Sequence, residues 1–262
     1  MNVMQPIGIF DSGIGGLSIW KEIHKLLPNE ETIYLADSVH APYGDKPKEE
    51  IVEASIKNTD ALIKKGCKII VVACNTATTN AISVLRKKYK LPFVGIEPAT
   101  KPAAIKTITG KIGILATKGT LASELFLNTS KKYRGQVRIF ETIGEGLVPI
   151  IESGNLTDVK PLLIKYLLPM VKEGVDNIVL GCTHYPFLIP IIRKIIPEHI
   201  NIIDSGKAVA QQTQNILSDN GLLNQTSNTG KLDFYTNADV AILRNFLNSI
   251  TKDRLNIKFE KW

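Results

Sequence analysis

IIVVACNTAT (residues 69–78) carries five apolar residues into a cysteine and then into amide and hydroxyl side chains. NIVLGCTHYP (177–186) does much the same, with its cysteine 108 positions after Cys74. A short unbroken apolar run rich in β-branched residues predicts a strand buried on both faces, as in parallel sheets covered by helices. After Cys74 the pattern changes at once, and TTNAISVLRKKYK (78–90) reads as a helix. A strand that ends in a polar turn and feeds a helix is the building step of an α/β sheet.

The same step recurs on either side. IGIF (7–10) leads through a glycine-rich turn into GLSIWKEIHKLLP, and TIYLAD (32–37) leads through a loop into EEIVEASIKNTDALIKKG. FVGIE (93–97) is the next strand. Then the order restarts: KIGILATKGT (111–120) echoes PIGIFDSGIG (6–15) at an offset of 105. VRIFET (137–142) stands where TIYLAD stood, and INIIDSG (200–206) takes the place of FVGIEPA. Two α/β units in the same order are therefore expected. The remainder differs: residues 207–226 read as a helix with a polar end, KLDFYTN (231–237) as a strand, DVAILRNFLN as a helix and LNIKFEKW as a last strand. This tail is expected to pack back on the first unit, which gives a discontinuous domain of residues 1–98 and 208–262 and a second of 99–207.

Composition narrows the function classes. The chain has 262 residues, 44% of them hydrophobic and 22% charged, ordinary values for a globular protein with a substantial core. No apolar run is long enough to span a membrane, and MNVMQPIGIFDSG lacks the basic and apolar regions of a secretory signal, so a cytoplasmic protein is expected. The net charge of +7 is spread as lysine pairs along helices, which reads as solvated surface and not as a nucleic-acid footprint. It suits attraction of a small dianionic substrate. Three cysteines make no disulfide framework, and their spacing fits no zinc pattern.

In open α/β sheets, ligands bind beyond the carboxyl ends of the strands. FDSGIGG, CNTAT, ATKGT and CTHYP all fall there. If the two units face each other, Cys74 and Cys182 approach one ligand from opposite sides. Such a pair suits inversion of a carbon bearing an acidic C–H, because one thiolate removes a proton while a thiol on the other face delivers one. Cys67, at a strand entrance, reads as a small buried hydrophobe. Asp11 at a strand exit is a candidate for chemistry, because a carboxylate there is costly without a role. The turn holding Gly13, Gly15 and Gly16 is a weak nucleotide signal; its backbone N–H groups and Ser12 could equally hold a carboxylate. His184 lies two residues past Cys182, where its charge would favour a thiolate. His24 and His199 read as structural, and His40 as part of a loop.

FDSGIGGLS, ADSVHAPYGDK, ACNTAT, ILATKGT and LGCTHYPFL, in that order, resemble the glutamate racemases of the cofactor-independent Asp/Glu racemase superfamily, over residues 7 to about 206. The resemblance implies two flavodoxin-like domains with the site between them and interconversion of L- and D-glutamate without pyridoxal phosphate, supplying D-glutamate for peptidoglycan. It makes Cys74 the base toward D-glutamate and Cys182 the base toward L-glutamate, with Asp11 and His184 assisting. It assigns substrate contacts to Asp11, Ser12, Tyr43, Gly44, Asn75, Thr76, Thr183 and His184, and to the hydroxyls of Thr117 and Thr120. Glu152, in LVPIIESG, becomes a partner on the histidine side. A homodimer is expected from the resemblance alone. Two departures stand out: Lys46 in PYGDK where many relatives carry arginine, and GEGLVPIIE, which lacks a Cys-Pro and adds Glu145.

Other readings compete. Aspartate or hydantoin racemases and decarboxylases share paired or single cysteines, and pocket depth decides among them. A two-lobed ligand sensor would have no use for a thiol at both strand exits. DNA binding rests on net charge alone.

Overall fold

The computed structural model describes residues 2–226 and 230–262. Its strands are β1 (Ile7–Asp11), β2 (Thr32–Ala36), β3 (Ile69–Val72), β4 (Phe93–Gly95) and β5 (Lys111–Ala116), followed by β6 (Arg138–Ile143), β7 (Asn177–Gly181), β8 (Asn201–Ile203), β9 (Leu232–Thr236) and β10 (Asn256–Phe259). They form two sheets, ordered β10-β9-β2-β1-β3-β4 and β6-β5-β7-β8, and every pairing is parallel. Within each sheet the first strand of the unit lies between its second and third, and the fourth lies outside the third. The internal repeat in the sequence is thus a repeat of topology. The tail adds β9 and β10 to the first sheet, beside β2.

The central strands β1, β3 and β7 are buried along their whole length, as their unbroken apolar sequences require. The edge strand β6 is mostly exposed or half-buried. One apolar core runs through both halves, joining Ile7, Trp20 and Tyr34 of the first to Leu147, Leu163 and Ile178 of the second. This shared core lets side chains from the two sheets be held against each other. Amphipathic helices complete the layers, and the helix Lys48–Lys64 has its charge arranged for its dipole, with Glu49 and Glu50 in the first turn and Lys64 in the last.

Two helix boundaries differ from the sequence reading. The helix after β3 begins at Asn75, three residues earlier than expected, because Cys74 itself is the N-cap and its Sγ accepts the Ala77 N–H at 3.4 Å. The helix expected over 207–226 covers Gly206–Asp219 only. It stops where Gly221 takes a left-handed φ of +64°, a conformation glycine adopts without steric cost.

At the edge of the first sheet opposite the strand exits, a buried ion pair fastens the layers. Lys68 Nζ lies 2.6 Å from Glu30 Oε2, and both side chains are buried. Nζ also donates to the Val3 carbonyl, and Glu30 Oε1 accepts the Asn224 N–H at 2.8 Å. The pair therefore ties the entrances of β1, β2 and β3 to the segment before β9. Lys68→Met leaves the Glu30 carboxylate buried without its cation and is expected to lower the unfolding free energy by about 3–5 kcal/mol. Urea denaturation would read this loss, and Glu30→Gln in the same chain is expected to restore much of it. A loss below about 1 kcal/mol in the single variant, as for an exposed pair, would contradict the assignment.

Candidate active site

The exits of β1 and β3 from one sheet and of β7 from the other converge. Ser12, Tyr43, Gly44, Cys74, Asn75, Thr76, Thr117, Cys182, Thr183 and His184 line one small cavity between the two halves, together with Pro42 and Val148. Its free volume is about 10 Å³, room for about one water. Asp11, Thr120 and Glu152 stand directly behind this lining. A larger surface hollow, about 980 Å³, lies beyond Gly44 and Gly119 and holds neither Cys74 nor Cys182.

On the first side, Cys74 is held at the start of its helix with Sγ 3.7 Å from Ser12 Oγ. Burial pushes the Cys74 thiol well above its ordinary range, and the charge of Asp11 adds to this, against the opposing effect of the Ala77 N–H and the Ser12 contact. Cys67, by contrast, is buried before β3 and does not line this cavity, and burial raises its thiol to about 12. The side-chain partner of Cys74 is thus Ser12, whereas the Asp11 carboxylate is engaged elsewhere. Asp11 Oδ2 accepts the N–H groups of Gly13 and Gly16 at 3.1 and 3.0 Å, and Oδ1 accepts the Thr183 hydroxyl at 3.3 Å across the cleft. Burial raises the Asp11 carboxyl to about 6, partly countered by His184 and by the two backbone donors.

On the second side, Cys182 Sγ lies 3.7 Å from His184 Nδ1, and His184 Nε2 lies 2.5 Å from Glu152 Oε1. Burial disfavours a charged imidazole, but Cys182 and Glu152 on its two nitrogens outweigh this and raise the His184 pKa well above the ordinary value. Glu152 also reaches the other half of the molecule, where it accepts the Ile14 N–H at 2.7 Å and the Ser38 hydroxyl at 3.0 Å. The glycine-rich turn explains how this is possible. A Cβ on Gly13 would overlap the Glu152 carboxylate, and one on Gly15 would overlap the His184 ring. The turn is glycine-rich to admit side chains of the opposite half; the nucleotide reading is not needed.

The hydroxyls form a cluster across the cleft, with Thr76 Oγ1 2.8 Å from Thr117 Oγ1 and 3.2 Å from Thr120 Oγ1. Thr117 is also the N-cap of its short helix, so its side chain is fixed twice. Asn75 Oδ1 is buried with no hydrogen-bond partner among the described residues, an arrangement that costs free energy unless a donor arrives. Among the described residues, no group of three or more His, Cys, Asp or Glu side chains is placed to hold a metal ion.

The sequence reading passed over the exit of β2. There Asp37 is buried and bonded to Tyr43 Oη, His40 Nδ1 and Asn237 Nδ2, and Ser38 meets Glu152. His40 thus belongs to a loop, as expected, and one fastened through Asp37. The signal was available: ADS after β2 repeats the Asp-Ser of FDS after β1. Tyr34, whose hydroxyl donates to the Gly13 carbonyl at 2.7 Å, was hidden inside an apolar strand.

The model of a family described as Asp/Glu/Hydantoin racemase matches residues 7–213. The glutamate racemase of Herpetosiphon aurantiacus is 44% identical over 239 residues, covering 90% of this chain and 94% of its own. Among solved structures, glutamate racemase isoform RacE1 from Bacillus anthracis aligns with a TM-score of 0.87 at 29% identity, over 98% of this chain and 97% of that one. Glutamate racemase from Francisella tularensis in complex with D-glutamate aligns with a TM-score of 0.83 at 27% identity, again over 98% and 97%. With the paired sheets, the repeated topology and the two cysteines at one cavity already in place, these matches settle the kinship: the chain belongs to the Asp/Glu/Hydantoin racemase family.

Proposed function

We propose that this protein interconverts L- and D-glutamate by two-base proton transfer between Cys74 and Cys182, with no cofactor. One observation carries the reading: two buried thiols, at matching strand exits of two different sheets, line a single cavity. The D-glutamate complex of the Francisella tularensis relative supports glutamate as the substrate.

From D-glutamate, the Cys74 thiolate takes the α-proton and becomes a thiol, and the C–H electron pair passes into the adjacent carboxylate system. The Cys182 thiol gives its proton to the opposite face of the carbon and is left as thiolate, so L-glutamate forms and the pair has exchanged states. The reverse reaction starts from Cys182. His184 is the proton partner of Cys182 and is oriented by Glu152. Ser12 is the corresponding contact of Cys74, and Asp11 acts behind it by fixing the turn and Thr183. The unpartnered Asn75 Oδ1 is an acceptor for the substrate ammonium. Hydroxyls of Ser12, Thr76, Thr117 and Thr183, with the Tyr43–Gly44 backbone and Thr120 in support, receive the two carboxylates and the charge that develops on one of them.

A cavity of about 10 Å³ does not admit glutamate, so the halves must part and close again. We take the moving units as residues 1–98 with 208–262 against 99–207, each carrying one sheet and one of the two cavity cysteines. Family membership also supports a role in supplying D-glutamate for peptidoglycan in the cytoplasm, and a homodimer.

Serine in place of either cysteine is a far weaker acid and base in this exchange. Cys74→Ser and Cys182→Ser are each expected to lower racemisation by about a thousandfold or more, followed by circular dichroism. Cys74→Ser is expected to spare slow elimination from a substrate analogue. Near wild-type racemisation by both single variants would end the two-thiol reading. Protonation of Asp11 gives a second test. With its carboxyl raised to about 6, it is ionised above that pH and protonated below. The value of kcat/KM is therefore expected to fall as pH drops through about 6, and Asp11→Asn to lower activity and remove that acid limb. An unchanged limb in Asp11→Asn would assign it to another group.

A further inference from the structure

Tyr43 lines the catalytic cavity through no direct tie to either cysteine; its hydroxyl faces the other way, into the first half of the molecule. There it donates to Asp37 and accepts from Asn58 Nδ2 at 3.0 Å. Asn58, on the helix Lys48–Lys64, is fully buried, and its Nδ2 also lies 3.4 Å from Asp37 Oδ2. Its remaining polar atom, Oδ1, accepts the indole N–H of Trp262 at 2.6 Å. Trp262 is only partly buried, at the rim of the second apolar cluster. A continuous chain of hydrogen bonds thus leads from the protein surface to the wall of the cavity.

The chain has a direction. An indole N–H can only donate, so its partner atom on Asn58 must be the oxygen, and this turns the amide NH₂ toward Tyr43 and Asp37. With Asn58 donating to it, the Tyr43 oxygen sends its own proton to Asp37. The ring is then held at both lone pair and proton, and the Tyr43–Gly44 backbone is fixed against the cavity. The backbone two residues before Trp262 is itself fastened to the first sheet. Glu260 N–H donates to the Thr236 carbonyl at 3.0 Å, and the Glu260 carboxylate meets Lys65 Nζ at 2.7 Å. Lys65 in turn lies over the Tyr235 ring, 3.9 Å from its centroid.

We propose that Trp262 and Asn58 are positioning residues for the Tyr43–Gly44 wall of the substrate cavity, so that a side chain at the surface sets how tightly substrate is held; this rests on the glutamate reading above. Neither residue touches the reacting atoms. Their effect falls on binding common to ground and transition states, and so on KM in preference to kcat.

Trp262→Phe keeps an aromatic ring and removes the indole N–H. Loss of one neutral hydrogen bond is expected to raise KM for D-glutamate about fivefold, with kcat within about twofold. In a Tyr43→Phe background the same change is expected to add almost nothing, because the path to the cavity is already cut. Unchanged KM in Trp262→Phe, or full multiplication of the two effects, would overturn the proposal while leaving racemisation by the wild-type protein intact. Failure of the wild type to racemise glutamate would instead remove the reading on which it rests. A second measurement keeps the indole N–H: fluorine NMR of the protein labelled with 5-fluorotryptophan. Its two resonances, from Trp20 and Trp262, separate by solvent isotope shift because Trp20 is fully buried. Saturating D-glutamate is expected to shift the Trp262 resonance in the wild type and not in Tyr43→Phe. A Trp262 resonance indifferent to glutamate in the wild type would contradict the link.

Discussion

The carboxylate of Glu152 is the contact on which the site depends. It belongs to the half built on β5–β8, yet it accepts the Ile14 N–H and the Ser38 hydroxyl of the other half while holding His184 in its own. A backbone N–H at the start of a turn and a carboxylate from another sheet make a strong, charge-assisted bond when both are removed from water. That bond sets the distance between the sheets at the level of the strand exits. The missing side chains of Gly13 and Gly15 are its precondition, because any Cβ there would occupy the volume of Glu152 or His184. One interaction therefore links the glycine-rich turn, the closeness of the halves and the orientation of the imidazole beside Cys182.

Repetition of topology does not make the two cysteines alike. Cys74 caps a helix, faces a hydroxyl and has the buried carboxylate of Asp11 nearby, all of which sit in the half that carries it. Cys182 faces an imidazole backed by a carboxylate. A carbon placed between them would meet similar thiols in different surroundings. Burial pushes the Cys74 thiol up, so a substrate that relied on this thiol as base would have to bring its own charges and donors into the cavity. The unpartnered oxygen of Asn75 belongs to the same logic, since it is a buried acceptor whose cost is relieved only by a donor.

Much of the fold was legible because parallel strands buried on both faces leave continuous apolar runs, and because the runs recur in the same order. The residues lining the cavity were legible where they stand at strand exits, as Cys74 and Cys182 do, and so was Asp11 behind the lining. The length of the helix expected over 207–226 was not, since polar residues continue past Asp219 and only the left-handed Gly221 marks the stop. Nor was the role of Trp262 or Asn58. Their partners lie about 200 positions or 15 positions away in sequence, and a buried amide inside an amphipathic helix looks like any polar residue on its exposed face. That Glu152 and His184 take the space beside Gly13 and Gly15 was hidden for a similar reason: those side chains come from the other half.

The central claim is that each thiol serves one face of the α-carbon. It is tested most directly by running the reaction from D-glutamate in deuterated buffer and isolating both enantiomers early. Transfer between two separate bases predicts that L-glutamate carries solvent deuterium at the α-carbon from the first turnovers, while unreacted D-glutamate keeps its hydrogen. Deuterium entering D-glutamate at least as fast as L-glutamate forms would mean that a single group reaches both faces, and would contradict the account.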